Sequence, residues 1–557
     1  MQSIGIDLGT TNSALAFTEG ESIKHFPIEQ LVQAGEVRAE DLLPSFVYIS
    51  GPKDVTEGLV VGALARKRGA ESLGRLVSSA KSWLSYAGVD RTDDFLPVHA
   101  PDGVEKLSPV TASKMYLEHL NQAWQDAGNA ALSSHRVVLT VPASFDAVAR
   151  ELTEKAAKAA GLKNVILLEE PQAAFYAWIA RHPDWRELVE PGNRILVVDI
   201  GGGTTDFTLI DVKDRGGSLD LERVAVGDHL LLGGDNMDLA LARHVETKLG
   251  KLDAQQLQAL WQQCRQAKEA LLEPEQDVAE QPITILGRGS GLVGGTLKSK
   301  LTREEVEKII VEGFFPLVGM DEEPIRQRRA ALQELALPYE GDARITAHLA
   351  RFLRQAGKLP THVLFNGGVL RAGLVRSRLL SFLPKIKVLD GEDLMLAVAR
   401  GAAYYGMARD GKGIRIRGGV PRSYYIGIED AMPAVPGMPA PMKAFTVVPF
   451  GMEEGTAHKF PNRKFGLYVG EPVEFRIFSS TDRRDDEAGT LLDPMPRELT
   501  ELPTMEFTLA PSEKTPSGLV PVTIESQVTE TGVLELYCVA SNGEHWKLQF
   551  NVRERKA

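Results

Sequence analysis

One pattern constrains this chain more than any other, and it occurs twice. The first copy is Ile4-Gly5-Ile6-Asp7-Leu8-Gly9-Thr10-Thr11-Asn12. The second is Ile195-Leu196-Val197-Val198-Asp199-Ile200-Gly201-Gly202-Gly203-Thr204-Thr205-Asp206. In each, an apolar run ends at an Asp, passes through glycines and threonines, and resumes as another apolar run, which reads as strand, tight turn, strand. Glycine lets the backbone turn sharply and lets a ligand approach it closely. Two such turns facing each other across a cleft supply what a nucleoside triphosphate needs: N–H groups and hydroxyls for phosphates, and carboxylates for hydrated Mg²⁺. Asp7 and Asp199 are then expected on the cleft floor. A single Asp-x-Gly turn says little, since many hairpins contain one. The doubling, with a third strand-to-glycine turn at Val363-Leu364-Phe365-Asn366-Gly367-Gly368, says much more.

The stretches after each copy mix strands and helices. Val137 to Pro142 reads as a buried strand, and Ala147 to Ala160 as an Ala-rich helix ending at Gly161. Helices are also expected over Leu374–Leu383 and over 393–408. Gly411 to Gly419, rich in Gly and Arg, reads as a linker. Beyond about residue 420 prolines multiply and short alternating runs replace helices. Val473, Phe475 and Ile477 alternate with Glu474, Arg476 and Phe478, as in a half-buried strand. Asn542-Gly543 lies between two β-rich runs, which suggests a type I′ hairpin or a slightly longer loop. Residues 421–557 are therefore expected to form a separate all-β domain. Gly289-Ser290-Gly291-Leu292-Val293-Gly294 matches a dinucleotide fingerprint, but no helix opens at once after it, so it reads as a hairpin turn. The next helix is expected at Thr302, with Thr302 and Glu305 as a capping box.

The 557 residues carry a net charge of −12, which argues against a dedicated nucleic-acid or anionic-membrane binder. Arg326, Arg328 and Arg329 read as a solvated helix face. Cys264 and Cys538 are the two cysteines and form no Cys-x-x-Cys pair. This suits a reducing compartment. The N-terminus has no signal-peptide pattern, and no run of ~18 apolar residues occurs, so the cytoplasm is the expected location.

These motifs resemble the 70-kDa heat-shock chaperones of the DnaK type, within the actin, hexokinase and heat-shock superfamily. Residues 5–13, Leu43-Pro44-Ser45, Thr140-Val141-Pro142-Ala143, Glu170-Pro171-Gln172-Ala173-Ala174, Asp199 to Asp206, Gly227-Asp228, Leu232-Gly233-Gly234-Asp235 and Asn366-Gly367-Gly368 carry the likeness over about residues 1–410. The resemblance implies an actin-like α/β fold, with lobe I at 1–186 and lobe II at 187–410. A linker at 411–420 and a sandwich-like β domain at 421–557 follow. It implies ATP or ADP with Mg²⁺, and K⁺, as cofactors. Gly9, Thr10, Thr11 and Asn12 would bind nucleotide from the first turn, and Gly201, Gly202, Gly203, Thr204 and Thr205 from the second. Lys268, Gly367, Gly368 and Arg371 would lie by the adenosine. Asp7, Asp199 and Glu170 would hold Mg²⁺ through water, and Asp199 and Thr204 would orient the attacking water. Extended peptide, a J-domain protein and a nucleotide exchange factor are the implied partners, with no nucleic acid and no membrane.

Several positions depart from the family. Its catalytic lysine follows a Gly-x-Ala-Ala pattern, where this chain has Gly62-Ala63-Leu64-Ala65-Arg66. Arg66 takes the catalytic position by spacing, with Lys67 and Lys81 as alternative cations. Arg265 stands where a Glu is usual and Leu272 where a serine is usual. Ile414-Arg415-Ile416-Arg417 lacks the acidic-leucine linker run. Segments 25–42 and 319–345 are longer than standard, and too few residues follow the last strand for a helical lid. The expected function is a slow, ATP-switched chaperone. The alternatives are an ATP-binding scaffold with little turnover and, less favoured, a small-molecule kinase.

Overall fold

The computed structural model describes residues 2–52, 54, 57–86, 88–163, 165–215, 218–228, 230–273, 278–287, 295–325, 337, 339–383, 385–391, 393–409, 420, 422–430, 441–452, 455–502, 505–509, 511–512, 515–529 and 534–548. The chain divides into two compact units. One comprises Met1–Trp83, Asp93–Ala143 and Lys155–Arg415; the other comprises Leu84–Thr92, Ser144–Glu154 and Ile416–Ala557. Among the described residues no helix is long and apolar enough to cross a membrane.

The first unit contains two sheets built on one plan. In the first sheet, Ser3–Leu8 pairs antiparallel with Asn12–Glu19, which pairs antiparallel with Ser22–His25. On its other side Ser3–Leu8 runs parallel to Arg136–Val141, and that strand runs parallel to Val165–Glu169. In the second sheet, Arg194–Ile200 pairs antiparallel with Thr205–Arg215, which pairs antiparallel with Ser218–Val226. Its other neighbour is the parallel His362–Asn366, followed by the parallel Lys387–Val388. The repeated sequence motif is thus a repeated topology, with each Asp at the end of a central strand. Ile4, Ile6, Ile195 and Val197 are fully buried, as expected for central strands covered on both faces.

The last strand of each sheet leads into a helix: Glu170–Arg181 in the first copy and Ala397–Ala408 in the second. These two helices touch almost backbone to backbone. A Cβ on Gly401 would sit 1.7 Å from the Ala173 carbonyl oxygen. The second helix also lies on the first sheet, where a Cβ on Gly5 would meet the Ala399 oxygen at 2.0 Å. Small residues are what allow so close an approach.

The expected strand at 137–142 is Arg136–Val141, and the helix after it is Ala147–Ala159, with Gly161 at φ 86° just beyond. Gly373–Phe382 is helical much as the spacing predicts. The helix expected over 393–408 starts only at Ala397. Asp393 accepts the Met395 N–H at 2.9 Å and holds a turn there, the local competition that short acidic side chains offer to a helix. The long segment 25–42 contains an antiparallel hairpin, Ile28–Gln33 with Glu36–Glu40. In the other long segment, Asp342 accepts the N–H groups of Ile325 at 2.7 Å and Arg344 at 2.9 Å. Around the dinucleotide-like motif, Glu280–Leu286 and Thr296–Thr302 pair antiparallel, and Thr302 and Glu305 cap Arg303–Phe314 reciprocally. Residues 289–294 of that motif, the arginines at 326–329, residues 411–419 of the expected linker and the C-terminal residues 549–557 lie outside the described residues.

In the second unit, the elements named after residue 420 are all strands. A five-stranded sheet has Ser423–Glu429 at its centre, and another is organised around Gly518–Val528. One sequence expectation is corrected here, and one left open is decided. The alternation over 473–478 breaks at Arg476: Pro472–Phe475 and Ile477–Ser480 belong to different sheets. Phe478 is therefore buried, with the Arg476 guanidinium 5.5 Å from its ring centroid. The Asn542-Gly543 turn is the longer loop. Ala540 N–H donates to the Glu544 oxygen at 2.9 Å, and Gly543 alone of the pair has positive φ, whereas a type I′ turn needs it at both central residues.

Candidate functional site

The two glycine turns line one cavity of about 1200 Å³ in the first unit. Each turn is closed by a second segment. In the first, Ser45 Oγ donates to the Gly9 carbonyl at 2.8 Å, and Ser45 N–H to the Thr11 carbonyl at 2.9 Å. This is the structural use of Leu43-Pro44-Ser45. In the second, Gly234 N–H donates to the Gly201 oxygen at 3.0 Å and Asp235 N–H to the Gly202 oxygen at 2.7 Å. Gly233 must be glycine for this closure, because a Cβ there would lie 2.7 Å from both oxygens. The turns also approach each other: a Cβ on Gly202 would sit 1.9 Å from Thr11 Oγ1.

Asp7, Glu170 and Asp199 reach the cavity from three different elements, together with Thr10, Thr11 and Thr204. Thr140 donates to Asp7 Oδ1 at 3.2 Å, and Asn366 Nδ2 to Asp199 Oδ2 at 2.7 Å. Burial pushes the Asp7 carboxyl up to about 7. The charge of Glu170 adds to this, while Lys81 and Thr140 oppose it. Burial likewise raises Asp199 well above the carboxylate range, with Glu170, Asp206 and Asp7 adding and Asn366 opposing. The floor is a set of crowded carboxylates with an appetite for positive charge.

The cation among them is Lys81. It is buried and paired with Glu170. Burial disfavours its ammonium, but Glu170, Asp7 and Asp199 outweigh that and raise its pKa. Arg66, which spacing puts in the catalytic position, lines the same cavity from an exposed site on the helix Ala63–Glu71. Its backbone N–H donates to the Gly62 carbonyl at 3.0 Å. The sequence signal for Lys81 was its place among the alternative cations, and only the fold brings it to Glu170.

Of the remaining sequence candidates, Gly9, Asn12, Gly201, Gly367, Gly368, Lys268 and Arg371 line the cavity. Gly367 turns with φ 92°, and a Cβ there would meet the Ile200 oxygen at 2.4 Å. Gly203 and Thr205 are not on the cavity wall. A Cβ on Gly203 would sit between Thr10 Cγ2 at 2.9 Å and Ser82 Oγ at 3.0 Å. Thr205 is fully buried and donates to the Leu232 carbonyl at 2.7 Å.

The far end of the cavity is lined by the helix Ala254–Leu272. There Arg265 pairs with Asp235 and with Asp238 at 2.8 Å, and Lys268 pairs with Asp238 at 2.7 Å. Burial works against the Arg265 cation, yet the two Asp residues raise its pKa further. Arg371 Nη2 donates to both carboxylate oxygens of Glu273, each at 2.9 Å. Sequence reading singled out Arg265 as a departure, but Asp235 and Asp238 as its partners were not foreseen.

The geometry can be set beside known proteins. The family model described as Hsp70 protein matches residues 3–328, more than half of the chain. The chain is 31% identical over 356 residues to the chaperone protein HscA homolog of Bordetella pertussis, covering 61% of this chain and 50% of the relative. It is 27% identical over 349 residues to the chaperone protein DnaK of Burkholderia cenocepacia, covering 58% of this chain and 49% of the relative. It is 29% identical over 420 residues to the HscA homolog of Shewanella putrefaciens, covering 72% and 57%. The chain thus spans about half the length of the curated relatives it matches. With the doubled turn, the paired sheets and the family match in agreement, the chain belongs to the Hsp70 family.

Proposed function

We propose that this protein is an ATP-dependent chaperone, in which slow hydrolysis in the cleft switches a β-rich peptide-binding domain. The observation that carries this reading is the convergence of two glycine turns and three carboxylates on one cavity. The residues fit the nucleotide: Gly202 lets the two turns approach closely, since a Cβ there would sit 1.9 Å from Thr11 Oγ1, and Thr10, Thr11 and Thr204 line the same cavity. They also fit hydrated Mg²⁺. Among the described residues no group of three or more His, Cys, Asp or Glu is placed to chelate a metal directly. Mg²⁺ keeps several waters and leans on substrate phosphates, so carboxylates set back from the ion suit it.

In this reading Thr10, Thr11, Gly201, Gly202 and Thr204 hold phosphates, and Lys268, Gly367, Gly368 and Arg371 lie by the nucleoside. Asp7, Glu170 and Asp199 would hold Mg²⁺ through water. The bound Mg²⁺ would neutralise phosphate charge. Asp199, fixed by Asn366, accepts a hydrogen bond from the attacking water and aligns it with Thr204. Residues 1–186 and 187–410 act as lobes, and 421–557 as a sandwich-like domain for extended peptide, served by a J-domain protein and an exchange factor in the cytoplasm. The test is thermal. MgATP at millimolar concentration should raise the melting temperature, since a ligand bound only to the native state stabilises it by mass action. A folded sample with no shift would remove the basis of this reading. A single-turnover assay with labelled ATP, with and without unfolded peptide, separates a chaperone from an ATP-binding scaffold.

A further inference from the structure

The second glycine turn is held from behind. Gly234 and Asp235 open the helix Gly234–Leu249, and the first N–H groups of a helix have no partner within it. Here they donate to the turn, Gly234 to the Gly201 carbonyl at 3.0 Å and Asp235 to the Gly202 carbonyl at 2.7 Å. In a trans peptide the carbonyl and the following N–H point in opposite directions. Fixing these two carbonyls toward the helix therefore aims the N–H groups of Gly202 and Gly203 away from it. Successive backbone N–H groups aimed to one side are what a phosphate takes up, and Gly202 lies on the cavity wall.

Asp235 brings a difficulty with this closure. Its Oδ1 lies 3.7 Å from the place of a Gly202 Cβ. A carboxylate thus stands beside the turn that phosphates are to approach, and like charges that close repel. Arg265 answers it from the helix Ala254–Leu272. Its Nη2 donates to that same Oδ1, and its Nε donates to Asp238 Oδ2 at 2.8 Å. Burial raises the Asp235 carboxyl, and Arg265 is the strongest influence holding it down. With Nε and Nη2 both engaged, the two aspartates fix the plane of the guanidinium.

We propose that Arg265, although it lies on the nucleoside wall, governs affinity for the phosphates, acting as a positioning residue through Asp235. It holds the closing segment against Gly201 and Gly202 and takes up the carboxylate charge beside Gly202. This rests on the nucleotide-site reading above. The full chain, Arg265→Met, and the double variant of Arg265→Met with Asp235→Asn are compared for affinity to MgATP and to adenosine, and for melting without ligand. In Arg265→Met the preference for MgATP over adenosine should fall about tenfold, the lower end of what losing an outer partner costs at a metal site. Adding Asp235→Asn should restore most of that preference, because it removes the stranded carboxylate and keeps the backbone N–H to Gly202. An unchanged preference in Arg265→Met, with only the melting temperature lowered, would make Arg265 a structural counter-ion and overturns the proposal. So does a fall in adenosine affinity as large as the fall in MgATP affinity, which would set Arg265 against the nucleoside. A loss that Asp235→Asn does not repair overturns it as well, since Arg265 would then act without Asp235. If Arg265→Met does not fold, Arg265→Gln takes its place, keeping a donor for Asp235 without the charge. The same fall there supports the proposal, and an unchanged preference overturns it. Wild type that binds neither MgATP nor adenosine is a separate result, which removes the nucleotide reading itself and this inference with it.

Discussion

The two ends of the cleft solve the problem of buried charge in opposite ways. At the floor, Asp7, Glu170 and Asp199 share Lys81 as their cation, and burial and mutual crowding raise the pKa of Asp7 and Asp199. At the far end, Arg265 and Lys268 face Asp235 and Asp238, two cations against two anions. The first end is incomplete without an incoming positive charge. The second is complete by itself and has no charge to offer a ligand. The contrast says where the binding free energy for a metal-bound triphosphate should concentrate, and where shape must do the discriminating. It also says which end should suffer as a folding problem when one partner is removed.

The largest effect expected is at the self-sufficient end. Arg265→Met leaves Asp235 and Asp238 buried with only Lys268, and breaking a buried ion pair by deleting one partner costs about 3–5 kcal/mol. Denaturant unfolding of the ligand-free protein measures it. A variant as stable as wild type would show that water reaches this end freely, and the comparison would fail there. Next is Asp199→Ala, which should lower single-turnover hydrolysis about 10²-fold, or about 2.7 kcal/mol, with a smaller change in nucleotide affinity. Equal losses in both would make the floor a binding site without a catalytic role.

The smallest effect is at Asp342, a carboxylate outside the cleft that sharpens the contrast. Burial would raise its pKa, but the Arg344 guanidinium and the N–H groups of Ile325 and Arg344 hold it down to about 2. A depressed carboxyl contributes stability that is complete above the ordinary carboxyl pKa of 3.8 and is lost as pH falls toward 2. Asp342→Asn should cost about 1–3 kcal/mol at neutral pH and flatten the acid limb of a stability profile between about pH 4 and pH 2. An unchanged acid limb would assign that limb to other carboxylates.

The floor was largely legible in the sequence, for a local reason. Asp7, Thr10, Asp199 and Gly202 belong to turns whose geometry is set within a few residues. The closing segments, Ser45 and Gly233-Gly234, were visible as motifs before they had a structural use. What sequence could not give was pairing between distant elements. Spacing from Gly62 points to Arg66, but the pairing of Lys81 with Glu170 joins two elements far apart in the chain. Arg265 was noticed as a substitution, yet its meaning depends on Asp235 and Asp238, a helix away. In the β-rich unit the alternation around Val473 was real, but Arg476 marks a change of sheet, which period alone does not reveal. Asn542-Gly543 marked a turn correctly while leaving its length open.

The crossing at Gly401 and Ala173 has a consequence for how this chain can change over generations. The two helices that meet there are corresponding parts of the two copies, so neither copy drifts alone at that point. A larger side chain in one must be answered by a retreat of the other. The same crossing ties the two copies together through backbone rather than through side chains, so its tolerance is set by the absence of a Cβ at Gly401.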